Sequence, residues 1–285
     1  MLPTPERSRD IPAAIGRSIG FIVMLITCSL AAVAFVPPLV RGIYAVTGFS
    51  VRGDVIAMLA AVLATTAIMI RSVDRREWSE LGLHRGAFNA RAMVSGACIG
   101  AAAIAAACAL LFATGCLHFE PMSSALSWPG TAAYTTIILL LAGLGEEVMC
   151  RGYLLTVLRE SVGAPAAVGL TSVAFGLLHL SNPGVSVMSL LVVVISGIML
   201  AWVRLAYDSL YAAWMAHVAW NVVMAVPLHA AVSGLHFETP GYQAVTSGPA
   251  WFSGGIWGPE GGLAAFAGSC GALGYLYMRQ RRKES

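Results

Sequence analysis

Residues 131–155 read TAAYTTIILLLAGLGEEVMCRGYLL, and across the longer apolar run from Thr131 to Leu158 the only charges are Glu146, Glu147 and Arg151. A helix of this length and composition belongs in a bilayer, where each charge near the centre costs about 3 kcal/mol on insertion scales. Three such residues in one span therefore point to a functional site before they point to anything else. Two other apolar segments carry the matching polar groups. FGLLHLSN, residues 175–182, holds Phe175, His179 and Asn182, and HVAWN, residues 217–221, holds His217 and Asn221. Carboxylates and imidazoles gathered inside a membrane are suited to proton chemistry on a substrate that resides there.

Composition agrees with this reading. The 285-residue chain is 58% hydrophobic and only 11% charged, with a mean hydropathy of +0.78. Soluble domains average about 25% charged residues. The strand alternation of an outer-membrane barrel is absent. A net charge of +3, with no basic run interleaved with aromatics, argues against a nucleic-acid partner. The six cysteines stand singly, without a CxxC pair, and read as small packing residues rather than disulfides or metal ligands.

The expected fold is all-α: a polytopic membrane helix bundle of about eight spans, near residues 17–36, 54–70, 92–115, 131–157, 164–180, 185–203, 209–226 and 259–278. Pro37-Pro38, Asn182-Pro183-Gly184 and Pro227 punctuate span ends. Gly96 and Gly100 form a GxxxG that permits close helix packing. Eight spans with a cytoplasmic N-terminus place 14 basic residues inside, Arg7, Arg9 and the Arg279–Lys283 group among them, against Arg41 and Arg52 outside. Both termini are then cytoplasmic. The organisation is N-terminal membrane helices with a cytoplasmic loop (1–127), a core (128–226), and an outer loop with a last helix (227–285). The apolar stretch Ile19–Val36 is longer than a signal-peptide h-region, so the first helix is read as retained. The expected location is a bacterial-type plasma (inner) membrane, with lipid and a membrane-associated protein or peptide as partners.

Helical spacing sorts the charges. Glu147 and Arg151 are four apart with the acid first, the favourable order for an ion pair. Glu146 is turned about 100° away and has Cys150 at i+4. It is left as the free carboxylate, suited to a general base. His217 and Asn221, four apart, share a face and can both donate to a developing oxyanion. The plainer alternatives are an interhelical ion cluster and polar interhelical glue. Counted along each helix, Glu146, His179, His217 and Asn221 lie roughly 14–22 Å from the cytoplasmic ends, at one common level.

GEEVMCRG carries an EExxxR motif, FGLLH an FxxxH motif and HVAWN an HxxxN motif. In this order and spacing, over Trp128–Val226, they resemble the CPBP intramembrane proteases, also called the CAAX prenyl endopeptidase type II or Abi family. Trp78 with Leu81-Gly82-Leu83 resembles a feature found ahead of that core. The resemblance implies a helical bundle that hydrolyses peptide bonds in or beside the membrane, in CAAX-type processing or bacteriocin-immunity-like roles. It implies Glu146 and His179 as the pair that activates water, His217 and Asn221 as the oxyanion side, and Glu147, Arg151, Phe175 and Asn182 in support. The family is often labelled metalloprotease. A zinc ion would take Glu146, His179 and His217 as ligands. With no HExxH helix in the chain, the expectation is a glutamate-type peptidase without a metal cofactor. The rival classes are a proton-coupled transporter, which would bring inverted repeats that are not visible here, and a non-catalytic scaffold binding through the 71–91 loop.

Overall fold

In the computed structural model, residues 10–48, 52–123, 127–237 and 240–284 are described. Among these residues, ten α-helices and two strands follow one another: α1 Ile11–Thr47, α2 Gly53–Ile68, α3 Ala90–Ala113, β1 Leu117–Met122, α4 Trp128–Glu147, α5 Leu155–Val162, α6 Ala164–Leu177, α7 Val187–Tyr207, α8 Leu210–Ala225, β2 Gly241–Thr246, α9 Ala250–Ser253 and α10 Leu263–Glu284. A π-helical turn, Val148–Leu154, joins α4 to α5, and another, Met69–Val73, extends α2. Among the described residues, five helical segments are long and apolar enough to cross a membrane: 11–47, 53–73, 90–113, 128–162 and 187–207. α6 and α8 are apolar but shorter.

One expectation is corrected. Pro37-Pro38 do not end the first helix, which runs through both to Thr47. Each proline removes a backbone donor, but a membrane helix tolerates prolines where neighbouring groups re-satisfy the freed carbonyls. The fold also carries an antiparallel strand pair, Leu117 opposite Thr246 through Met122 opposite Gly241, in the loops at one end of an otherwise helical bundle. Arg7 and Arg9 lie outside the described residues.

Basic residues gather at the opposite end. Arg17 of α1 pairs with Asp74 at 3.3 Å, Arg76 with Glu160 of α5, and Arg204 with Asp208 at 3.0 Å. Arg279 near the end of α10 stacks over the Tyr207 ring at 4.0 Å.

Helix association in lipid depends on close packing rather than on expulsion of water. The GxxxG of α3 supplies that packing. A Cβ on Gly96 or Gly100 would overlap the carbonyl oxygens of Ala212 and Ala216 on α8, and one on Gly268 of α10 would overlap that of Ala103. α3 is thus clasped between α8 and α10. One apolar core runs through α3, α7, α8 and α10 around Ile104, Met199 and Trp220. A second gathers Phe21, Ile70, Tyr153, Phe175 and Trp257 around the π turn after α4. α1 buries only Ala14, Phe21 and Val36, so most of its surface faces outward.

Candidate active site

Glu146 and Glu147 end α4, at the point where the helix widens into its π turn. Such turns are uncommon and occur often at functional sites. The helix runs close to its neighbours here: a Cβ at Gly143 would meet the Val218 side chain at 3.4 Å, and one at Gly145 the Met58 methyl at 3.1 Å. Glu147 is fully buried, and its Oε1 accepts from the Arg151 guanidinium at 2.9 Å. The i,i+4 pair expected from the sequence is present. Arg151, also fully buried, donates to the Gly197 carbonyl of α7 at 3.2 Å and lies 4.1 Å over the Phe175 ring.

The same Glu147 oxygen accepts from His217 Nδ1 at 3.0 Å. The Nδ1 proton is therefore committed to Glu147, and Nε2 faces Glu146 Oε2 at 3.8 Å. Glu146 is the more open of the two acids, with 23% of its side chain exposed. His217 thus stands between adjacent carboxylates, an arrangement with no sequence-local signal.

His179 sits just past the end of α6, a helix of 14 residues that stops short of a full span. Termination within the bilayer leaves end carbonyls without partners. His179 Nδ1 donates to one of them, the Phe175 carbonyl, at 2.8 Å. This leaves the lone pair of its neutral ring on Nε2. The Phe175 ring contacts both imidazoles edge-on, at centroid distances of 4.8 Å to His179 and 5.8 Å to His217. Asn182 turns away from the imidazoles and donates to the Ser233 carbonyl at 3.0 Å.

Phe175, His179, His217 and Asn221 line one narrow cavity with Ser233 and Glu260. It leaves about 30 Å³ open to water, enough for one or two molecules at roughly 10–15 Å³ each. Glu146 is not among the lining residues and approaches the cavity through His217, whose Nε2 lies 3.8 Å away. The structure therefore gathers all four sequence candidates into one neighbourhood, with His217 in direct contact with both acids. Glu260 and Ser233 were not anticipated. The available signal was a lone acid in GPEGG at the start of the final apolar span. Among the described residues, no three His, Cys, Asp or Glu side chains form a metal-holding group.

Residues 127–223 match the family model described as type II CAAX prenyl endopeptidase, Rce1-like. The match covers about a third of the chain, and over that stretch the chain is similar to this family. The match takes in all three motifs and every residue from Glu146 to Asn221 discussed above. No curated protein and no solved structure matched the chain. This likeness supports the general activity, CAAX-type intramembrane proteolysis. Together with the apolar helices it makes this an integral, multi-pass membrane protein.

Proposed function

We propose that the protein is a glutamate-type intramembrane endopeptidase acting on membrane-associated proteins or peptides, with Glu146 as its general base. A water in the cavity is polarised by Glu146 and by the lone pair of His179 Nε2. Its oxygen attacks the scissile carbonyl carbon while Glu146 takes the proton. Negative charge then develops on the former carbonyl oxygen, on the side of Asn221 and His217. The Asn221 carboxamide donates to that oxygen, and so does the His217 Nε2 edge when it is protonated. Donors of this kind each contribute roughly 10²–10³ in kcat. Glu146 returns its proton to the amide nitrogen, the C–N bond breaks, and the amine leaves. Glu147 and Arg151 keep the His217 ring in place.

The observation that carries this reading is the contrast between a buried acid held by two donors on one oxygen and a more open acid beside it. Glu147 is committed to Arg151 and His217, whereas Glu146 is partly exposed next to His217. An acid that must exchange protons with substrate needs that freedom. The proposal needs no metal, and a cytoplasmic arginine-rich end is its expected orientation. The test is hydrolysis of an internally quenched, lipid-anchored peptide with a CAAX end by protein in liposomes. Comparison of new C-termini across the membrane proteome then finds the physiological substrate. Glu146→Gln is expected to abolish turnover, and full activity in that variant refutes the general-base role.

A further inference from the structure

A carboxylate from beyond the family-matched core closes one wall of the cavity. Glu260 lies in the short turn Pro259–Gly261 just before α10 and is buried. Its Oε1 accepts from the Ser233 backbone N–H at 2.6 Å and from the Ser233 hydroxyl at 2.8 Å. Its Oε2 accepts from the Trp220 indole N–H at 2.5 Å.

Each donor leads to a proposed site residue. Trp220 lies between His217 and Asn221 on α8, directly before Asn221. Ser233 accepts through its carbonyl from Asn182, three residues beyond His179 on the turn that ends α6. One side chain therefore ties together the helix carrying His217 and Asn221, the turn carrying His179, and the segment that covers them. Trp257, from the same segment, is fully buried and lies 6.3 Å from the His179 ring, centroid to centroid.

We propose that Glu260 is a positioning residue of this site, setting the distance between the His179 turn and the His217/Asn221 face. The inference rests on the peptidase reading above. A carboxylate is required because donors arrive on both oxygens, and two of them, the Ser233 N–H and the Trp220 N–H, cannot act as acceptors. Glutamine keeps the shape but offers a single acceptor oxygen. Either orientation of its amide turns an NH₂ onto one of those two donors. Removing the indole N–H while keeping an aromatic ring relieves the conflict, because the remaining oxygen can then face Ser233.

The experiment compares wild type, Glu146→Gln, Glu260→Gln, Trp220→Phe and the Glu260→Gln/Trp220→Phe double variant, as full-length protein in liposomes with the quenched CAAX peptide. Expected are a kcat at least tenfold lower in Glu260→Gln at a KM within threefold of wild type, and a recovery of at least threefold in the double variant. An unchanged kcat in Glu260→Gln, or no recovery in the double variant, overturns the proposal. Amide hydrogen exchange gives a readout that needs no substrate. Segments 178–185 and 229–237 should exchange faster in Glu260→Gln and return towards wild type in the double variant, and unaltered exchange also overturns it. Wild-type turnover no greater than that of Glu146→Gln removes the peptidase reading itself, and the positioning role falls with it.

Discussion

His217 Nδ1 donates to Glu147 Oε1 at 3.0 Å, and this is the same oxygen that binds Arg151 at 2.9 Å. One buried carboxylate oxygen therefore anchors both a structural cation and a site imidazole. The stability of the core and the aim of the chemistry share an atom. Substitutions at the two adjacent acids should accordingly separate these roles.

Glu146→Gln should lose hydrolysis while its unfolding temperature in detergent stays within about 2 °C of wild type, because Glu146 is partly exposed and surface-like changes cost little. Glu147→Gln should lose both activity and stability. Thermal scans paired with turnover measurements check this. Equal unfolding temperatures for the two variants would contradict the division of labour.

Arg151→Ala strands Glu147 as a buried charge and empties the space over Phe175. Breaking a buried pair typically costs about 3–5 kcal/mol. His217→Ala removes one donor from Glu147 but leaves the ion pair, so about 1–3 kcal/mol is expected. Denaturation in mixed micelles should rank Arg151→Ala as clearly the less stable.

The α3–α8 contact can be tested with glycines alone. Gly100→Ala places a methyl where the Ala216 carbonyl already lies, one residue from His217, whereas a Cβ at Gly274 meets nothing within 4 Å. Overpacking costs about 1–3 kcal/mol. An exposed helical Gly→Ala gains roughly 0.5–1 kcal/mol. The two variants should move the unfolding temperature in opposite directions, and Gly100→Ala should lower kcat as well.

His229 provides a pH test outside the membrane-spanning helices. Its Nε2 accepts from the Trp128 indole at 3.1 Å, and burial pushes its pKa below the usual 6.5. A group neutral in the fold and charged once unfolded contributes stability that is fully present above the unfolded pKa. That contribution is lost as pH falls from about 6.5 towards the folded value. His229→Gln keeps an acceptor but cannot titrate. The wild type should lose more stability than this variant between pH 7.5 and pH 5, and parallel profiles would count against the assignment.

Metal content can be measured directly. Active, freshly purified protein should contain well under one zinc per chain by elemental analysis, and brief chelation should leave turnover intact. One zinc per chain, lost together in His179→Ala and His217→Ala, would reinstate a metallopeptidase.

Much of this was legible in the chain. The intramembrane charges at 146, 147 and 151, the three motifs and the Glu147–Arg151 pair depend on hydropathy and on a helical repeat of a few residues. These properties are local, so reading along one segment is enough. Pro37-Pro38 misled because proline signals assume an aqueous helix, whereas this helix continues in an apolar setting.

What only the tertiary structure decided are the contacts across long separations in sequence. Helical periodicity could say that His217 and Asn221 share a face, but not that this face meets Glu147, 70 residues earlier. That depends on Gly96 and Gly100 admitting the α8 backbone against α3, which sets where α8 lies. Glu260 was equally hidden, since a lone acid at a span boundary looks like a solvated end until the fold buries it against Trp220 and Ser233. Local pattern specifies which side chains a helix presents. Which helix receives them depends on backbone fit between segments far apart in the chain, and no single segment encodes that fit.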